Sequence, residues 1–304
     1  MNYFYFNPFS KQYYFPEGFK NIPLFQSFYQ PYTSSGRLLW FVWKNSSLVR
    51  RFFREKAIED ILPINRFKKY IPATSILAIN RGTPGIEQKM SVLAYDPENG
   101  KEYFIKYADS EIACINVENE GKILAQLNHL DFVPKLQHQV SRSDYALIQT
   151  NILKGERLLT QNVDKQLLQV LLTLVKEDVN TEKKFETELI SCFAHGDFCP
   201  WNMMLDGDQL NIFDWEMAGT YPLGFDMFTF IFQTSFLLRP KVGISQLIKE
   251  TEPFIKSYFE KFKISDWSTF LNAFASIKLD TETQKNNQRL IPFYMQLHNY
   301  AKKT

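Results

Sequence analysis

The sequence contains little cysteine and no paired-cysteine motif. Its three cysteines, Cys114, Cys192 and Cys199, form no CxxC pair, and a disulfide framework would leave one of them over. This usage favours a reducing compartment, so we expect a cytoplasmic protein. No base is spaced to activate Cys199, and we therefore expect it to pack as a small side chain rather than to act as a nucleophile.

A strong net charge and a long apolar run are also missing. The formal net charge is only +2, and there is no arginine-rich arm or zinc-ligand spacing, so we expect no nucleic-acid partner. The apolar run from Leu38 to Trp43 is far too short to span a bilayer. Residues 1–30 are aromatic but lack the basic start, apolar core and cleavage site of a signal peptide, and we expect them to be retained.

Residues 37–56 interleave arginine and lysine with aliphatic and aromatic residues. Such a basic amphipathic pattern can lie on an anionic membrane surface, which makes peripheral membrane contact through residues 37–56 one hypothesis. In the alternative, which we favour, the aromatic side chains pack on the chain's own sheet and the arginines face water. Either way, we predict that residues 1–72 form an aromatic and basic amino-terminal extension.

The most informative string spans residues 195–202 and reads His-Gly-Asp-Phe-Cys-Pro-Trp-Asn. After it, an Asp-Gly pair between two apolar runs predicts a tight β-hairpin, which returns Asp214 to the level of Asn202. Carboxylate and amide oxygens from adjacent strand ends suit Mg²⁺. A loop aspartate such as Asp197 can accept the proton of an attacking hydroxyl. Each piece alone is common as an ordinary turn, whereas the complete series is not.

A second constellation lies upstream. Residues 75–80, 89–95 and 102–107 read as three consecutive strands, and Lys106 falls inside the third, where an ammonium group needs a partner. The helix predicted from about Ser110 to Leu127 presents Glu120 in the middle of its apolar stripe, whereas Glu118 points to the opposite face. We therefore expect Lys106 to pair with Glu120.

The rest of the chain is predominantly helical. Residues 145–148 read as a further strand, and helices are predicted at residues 166–176, 244–263 and 284–302. A helix over residues 226–238 is apolar on nearly all faces and should be buried. Asp226 at its start is thus an acid that enters a core.

Taken in order from about Leu77 to Leu238, these strings resemble the aminoglycoside phosphotransferase and choline kinase family, small-molecule relatives of protein kinases. The resemblance implies a two-lobed, kinase-like α+β fold. Its small lobe, an antiparallel sheet with one helix, would span residues 73–150, and its mainly helical lobe would span residues 151–304.

The resemblance also implies a role for each candidate residue. Asp197 would be the catalytic base, and Asn202 and Asp214 the magnesium ligands. Lys106, held by Glu120, would clamp the phosphates of ATP. The remaining candidates are Gly82 and Thr83 in a glycine loop over the nucleotide, Gln149 and Asn151 in the hinge, and His195 and Asp226 as supports of the catalytic loop.

The implied function is transfer of a phosphoryl group from ATP, with Mg²⁺, to a hydroxyl of a small molecule. An aminoglycoside, a choline-like alcohol and a sugar or glycan precursor all remain possible as acceptors, because the fold does not encode the pocket. An inactive nucleotide- or partner-binding module is a second possibility, although every catalytic group is present. A protein kinase is a third, disfavoured because Asp214-Trp215-Glu216 replaces Asp-Phe-Gly and no Ala-Pro-Glu follows.

Overall fold

The computed structural model describes residues 2–6, 11–31, 34–55, 58, 62–158, 164–185 and 187–303. The chain divides into two compact units. The first consists of Met1–Ala125 and Pro134–Ile152, and the second of Gln126–Val133 and Leu153–Thr304.

An eight-stranded antiparallel sheet forms the centre of the first unit. Its strands are β1 (Tyr3–Phe6), β2 (Tyr13–Pro16), β3 (Arg54–Glu55), β4 (Ile76–Asn80), β5 (Met90–Tyr95), β6 (Glu102–Ala108), β7 (Leu136–Arg142) and β8 (Tyr145–Thr150). Their order across the sheet is β3-β1-β2-β4-β5-β6-β8-β7. The expected strands are thus confirmed, with β1, β2, β3 and β7 in addition.

The amino-terminal residues are part of this sheet rather than separate from it. Tyr13 of β2 pairs with Asn80 of β4. Trp40 and Trp43 are buried with Phe6 and Phe15 in a core cluster that also includes side chains of β4 and β5. The expected packing of amino-terminal aromatic residues on the sheet therefore occurs for these two tryptophans.

The helices of the first unit are mostly short. They are α1 (Pro23–Gln26), α2 (Ser34–Asn45), α3 (Ser47–Arg51), α4 (Ile64–Phe67) and α5 (Glu111–Gln126). The predicted helix after β6 is confirmed as α5. Its buried side includes Val117, Glu120 and Leu124 at helical spacing, which brings the carboxylate of Glu120 against the core.

The second unit carries two small sheets and most of the long helices. Its strands are β9 (Glu156–Arg157), β10 (Ser191–Ala194), β11 (Met203–Asp206), β12 (Gln209–Ile212) and β13 (Gly219–Pro222). Its helices are α6 (Lys165–Leu174), α7 (Phe225–Phe228), a π-helix (Thr229–Gln233), α8 (Thr234–Leu238), α9 (Ile244–Glu260), α10 (Ser268–Gln284) and α11 (Leu290–Ala301). Short 3₁₀ turns span Pro200–Asn202 and Trp215–Met217.

Two helical predictions need correction. The single helix expected over residues 226–238 is interrupted by the π-helix, a wider turn that is often found at functional sites. The helix expected over residues 284–302 begins at Leu290, and α10 before it was not predicted. Polar residues near the carboxyl end of α10 obscure its apolar spacing.

Among the residues with a described position, no helix is both long enough and apolar enough to cross a bilayer.

Candidate active site

The hairpin predicted after the 195–202 string is present. Strands β11 and β12 pair in antiparallel register, with Met203 opposite Ile212, around a turn at Gly207. Beyond the paired residues, the backbone N–H of Phe213 donates to the carbonyl of Asn202 over 3.0 Å. Asp214 follows directly, so the hairpin brings it back beside Asn202, as the turn chemistry predicted.

Asp197 lies in the loop between β10 and the first 3₁₀ turn, and its carboxylate accepts hydrogen bonds on both oxygens. Oδ2 accepts from Nδ2 of Asn202 over 2.9 Å, and Oδ1 accepts from Nε2 of Gln233 over 2.7 Å. The thiol of Cys199 also donates to Oδ1, at 3.6 Å. These donors fix the orientation of a half-buried carboxylate.

His195 holds the same loop from within the core. The backbone N–H of Asp197 donates to Nδ1 of His195 over 3.2 Å, so Nδ1 is the unprotonated nitrogen. Nε2 then carries the proton and donates to the carbonyl of Phe213 over 3.0 Å. His195 thus links the loop to the end of the hairpin, and neither ring nitrogen is left for a metal ion.

Asp226, at the start of α7, accepts two backbone hydrogen bonds from the loop. The N–H of His195 donates to Oδ2 over 2.6 Å and the N–H of Gly196 donates to Oδ1 over 2.9 Å. Burial raises the pKa of Asp226, while the nearby His195 and the two N–H groups act in the opposite direction. The side chain is a fixed support for the loop backbone.

Gly196 has no substitute at its position. Its φ is +83°, and an added Cβ would lie 2.2 Å from the carbonyl oxygen of Met217. Any other side chain would therefore force the loop away from the 3₁₀ turn that contains Met217.

The donor set at the hairpin end fits a magnesium ion. Because Nδ2 of Asn202 is used by Asp197, its Oδ1 is the atom that could serve as a ligand. Asp214 is half-buried and adopts a left-handed conformation, with φ +70°. Carboxylate oxygens of Asp214 and Glu216 lie within 4.8 Å of each other. Glu216 was not among the expected ligands, although the Asp-Trp-Glu string had contained it.

In the first unit, the expected ion pair is present. Nζ of Lys106 on β6 lies 2.5 Å from Oε2 of Glu120 on α5, and both side chains are buried. Glu118 faces elsewhere, since its Oε1 accepts from the hydroxyl of Ser141. The helical periodicity therefore identified the inward carboxylate correctly.

The glycine loop is a tight turn after β4. Gly82 has φ +74°, and an added Cβ would lie 2.1 Å from the carbonyl oxygen of Lys89. Its N–H donates to Oδ1 of Asn80 over 2.9 Å. Thr83 is exposed. The glycine is explained by the turn itself, and nucleotide contact by either residue stays a prediction.

The two candidate hinge side chains are engaged with their own sheet. Nε2 of Gln149 donates to Gln137 over 3.1 Å, and its buried Oε1 has no partner in the described part of the chain. Oδ1 of Asn151 accepts from the backbone N–H of Lys135 over 2.6 Å. Contact of Gln149 or Asn151 with a nucleotide also stays a prediction.

Three polar side chains near Asp197 were not anticipated. Oε1 of Gln233, the last residue of the π-helix, accepts from Nζ of Lys278 over 2.9 Å and from the hydroxyl of Tyr294 over 3.2 Å. Lys278 is buried on α10. Its position continues the stripe of Phe270, Leu271, Phe274 and Ala275, so the argument that singled out Lys106 would have found it.

Cys199 is fully buried, and burial raises the pKa of its thiol well above the ordinary value. The thiol therefore stays protonated near neutral pH, in agreement with a packing role.

These two units define a class. The first unit is a sheet with a buried lysine–glutamate pair. The second is a mainly helical unit in which a loop aspartate lies beside the hairpin end that carries Asn202 and Asp214. Together they make a kinase-like α+β fold. The model of the phosphotransferase enzyme family, APH, matches residues 116–247, less than half of the chain. No curated protein sequence matches significantly.

Solved structures agree with this class. A choline/ethanolamine kinase family protein from Mesorhizobium loti matches with a TM-score of 0.50 and 13% identity, covering 79% of this chain and 93% of that one. Amicoumacin kinase hAmiN, in complex with AMP-PNP, Ca²⁺ and Ami, matches with a TM-score of 0.53 and 12% identity, covering 81% and 96%.

A thermostable mutant of aminoglycoside phosphotransferase APH(4)-Ia, in ternary complex with ADP and hygromycin B, matches with a TM-score of 0.51 and 9% identity, covering 81% and 98%. At these identities the likeness is one of fold. The comparisons confirm the kinase-like fold and the resemblance to the aminoglycoside phosphotransferase and choline kinase family.

Proposed function

We propose that this protein is a small-molecule kinase that transfers the γ-phosphoryl group of ATP, with Mg²⁺, to a hydroxyl group. The arrangement of Asp197, Asn202 and Asp214 is the observation that carries the proposal. A proton acceptor and two oxygen ligands are held together by the backbone of one loop and one hairpin, in the order that phosphoryl-transfer enzymes use.

Asp197 is the base in this proposal. Its carboxylate is oriented by Asn202, Gln233 and Cys199, so an acceptor hydroxyl that reaches the carboxylate would lose its proton to a fixed group. Asp226 and His195 hold the loop backbone in place. Much of the catalytic effect would come from this positioning.

Asn202 and Asp214 would hold the metal ion, which supplies charge neutralisation for the phosphate oxygens when bound. Glu216 is a further candidate in the same place, since its carboxylate lies close to that of Asp214. Lys106, oriented by its ion pair with Glu120, would contact the phosphates of ATP. Gly82, Thr83, Gln149 and Asn151 remain proposed nucleotide contacts.

The short connection after Asp214 favours a small-molecule acceptor over a protein. Only a 3₁₀ turn and β13 separate Asp214 from α7, which leaves no segment for the activation loop of a protein kinase. One neighbour of the same fold, aminoglycoside phosphotransferase APH(4)-Ia, was solved in ternary complex with ADP and the small molecule hygromycin B. An inactive binding module is the alternative, and it is disfavoured by the complete set of groups around Asp197.

The residues that line a cavity in the second unit indicate which acceptor charges to test. It has a volume of about 310 Å³. Its lining includes Ser235 and Phe236, which lie within one helical turn of Gln233. Arg239, which pairs with Glu250, Lys241 and Arg289 line it, and none of the described lining residues is acidic. Acceptors that carry a carboxylate or phosphate group therefore belong in a screen beside aminoglycosides and choline-like alcohols.

The other parts of the proposal concern location and partners. We retain the expectations of a cytoplasmic protein with no nucleic-acid partner. Peripheral membrane contact through residues 37–56, of which residue 56 lies outside the described residues, stays the second hypothesis beside packing on the sheet.

A screen of hydroxyl compounds with labelled ATP and Mg²⁺ tests the function. Asp197→Asn keeps the shape of the side chain but removes the base, which typically costs about 10² to 10⁴ in rate. We expect that loss in turnover with little change in ATP affinity. Asp208→Asn, at an exposed position of the hairpin turn, is the matched control and should retain activity. Equal turnover by Asp197→Asn and wild type would contradict the assignment of the base.

A further inference from the structure

Helix α2 is apolar on two opposite sides. Trp40 and Trp43 are buried against the core of the first unit. The opposite side carries four large apolar side chains that are exposed: Leu38, Leu39, Phe41 and Val42. A helix that is apolar nearly all round is normally covered on every side, but the described part of the chain covers only one side of this one.

Two further exposed apolar side chains lie on α3 and directly after it. Leu48 and Phe52 are four residues apart and so lie on one side of the turn, and Phe52 is 84% exposed. Of the thirteen large apolar side chains exposed in the described chain, six lie between Leu38 and Phe52. Single exposed apolar residues are normal, whereas such a concentration marks an interaction surface.

The charges within the sequence stretch that carries these side chains have one sign. No aspartate or glutamate occurs between Glu17 and Glu55, and that stretch contains six arginines and lysines. Arg50 is used internally, since its guanidinium donates to the carbonyls of Trp43 and Lys44 at the end of α2. Three others in this stretch are exposed: Arg37, Arg51 and Arg54, of which Arg54 donates to Oδ1 of Asn2.

We propose that the exposed side chains of residues 37–54, the α2–α3 face, dock this protein on an anionic lipid bilayer. The apolar side chains would enter the boundary between head groups and acyl chains, and the arginines would contact lipid phosphates. A second copy of the chain is a poorer occupant, because a two-fold contact would bring two sets of like charges together. The docking does not depend on the proposed kinase activity.

Vesicle co-sedimentation of the full chain tests the proposal. At low ionic strength we expect binding to vesicles of phosphatidylcholine with phosphatidylglycerol, none to phosphatidylcholine alone, and release by salt. Phe41→Ser with Phe52→Ser should abolish binding without lowering the melting temperature, because both side chains are exposed. Arg51→Gln should weaken binding roughly five-fold.

The matched control is Ile112→Ser with Ile190→Ser, which removes two exposed apolar side chains elsewhere and should bind like wild type. Absence of sedimentation with anionic vesicles at low salt would overturn the proposal, and so would full binding by the Phe41 and Phe52 double variant. Sedimentation equilibrium in the absence of lipid tests whether a second copy of the chain occupies the face instead. A dimer that the double variant loses, without vesicle binding by the wild type, would assign the face to a second copy.

Discussion

Nε2 of Gln233 donates to Oδ1 of Asp197 over 2.7 Å, and the opposite end of the same amide accepts from Lys278 and Tyr294. Because both of these groups donate to Oε1, the amide nitrogen must face the carboxylate. Lys278 also lies 3.4 Å from the carbonyl of Gly196. A buried lysine on α10 thereby sets the direction of the donor that orients the proposed base.

We predict that Gln233→Glu lowers turnover about 10- to 100-fold, because an oxygen replaces the donor and faces the Asp197 carboxylate. The new carboxylate can still pair with Lys278, so the melting temperature should fall little. At lower pH, protonation of the introduced glutamate restores an O–H donor, and the ratio of variant to wild-type turnover should rise.

Gln169→Glu, at an exposed position on α6, is the control for the added charge. A Gln233→Glu variant with wild-type turnover across the pH range would remove Gln233 from this positioning role. A large loss of melting temperature with no pH-dependent recovery would indicate a structural role only.

The metal assignment makes a prediction that needs no acceptor. If Asn202 and Asp214 hold Mg²⁺, ATP should raise the melting temperature more with magnesium than with a chelator, since ligand binding stabilises the folded state. Asp214→Ala should abolish the difference, and the exposed-site control Asp208→Ala should preserve it. A magnesium-dependent shift that persists in Asp214→Ala would reject the assignment.

Substitutions can separate the contribution of the buried Lys106–Glu120 pair to stability from its contribution to ATP binding. Glu120→Gln removes the carboxylate that pairs with the Lys106 ammonium group, and breaking a buried pair typically costs about 3–5 kcal/mol of unfolding free energy. Lys106→Met with Glu120→Gln removes both charges and should recover part of that loss. Denaturant unfolding measures stability, and calorimetry measures ATP affinity.

In the double variant, ATP affinity should stay low although stability recovers, because the proposed phosphate contact is gone. Recovery of both quantities together would show that the pair serves stability alone.

The contribution of Asp226 to the free energy of unfolding should depend on pH. Burial raises the pKa of Asp226 above its ordinary value, so its favourable contribution is fully present below the unfolded-state pKa and is lost as pH rises through the folded-state pKa. The advantage of wild type over Asp226→Asn, measured by denaturant unfolding, should therefore be larger at acid pH than at neutral pH. An advantage that grows with rising pH would contradict this sign.

The sequence alone determined the parts of the site that depend on local geometry. The Asp-Gly pair predicted the hairpin, whose two-residue turn consists of Gly207 and Asp208, and because such a turn sets strand register, Asp214 returns beside Asn202. Helical periodicity identified Glu120 rather than Glu118, because the regular turn of a helix decides which side chains share a face. Each of these predictions spans only a few residues of regular backbone.

Tertiary structure decided the rest. Gln233 and Lys278 reach the loop of Gly196 and Asp197 from helices 36 and 82 residues further along the chain, and no local pattern states which helices pack together. The amino-terminal strands likewise join the sheet through pairing of β2 with β4, although the intervening sequence gives no register. That packing also decides which apolar side chains of α2 are buried and which remain exposed, because both sides of the helix are apolar in sequence.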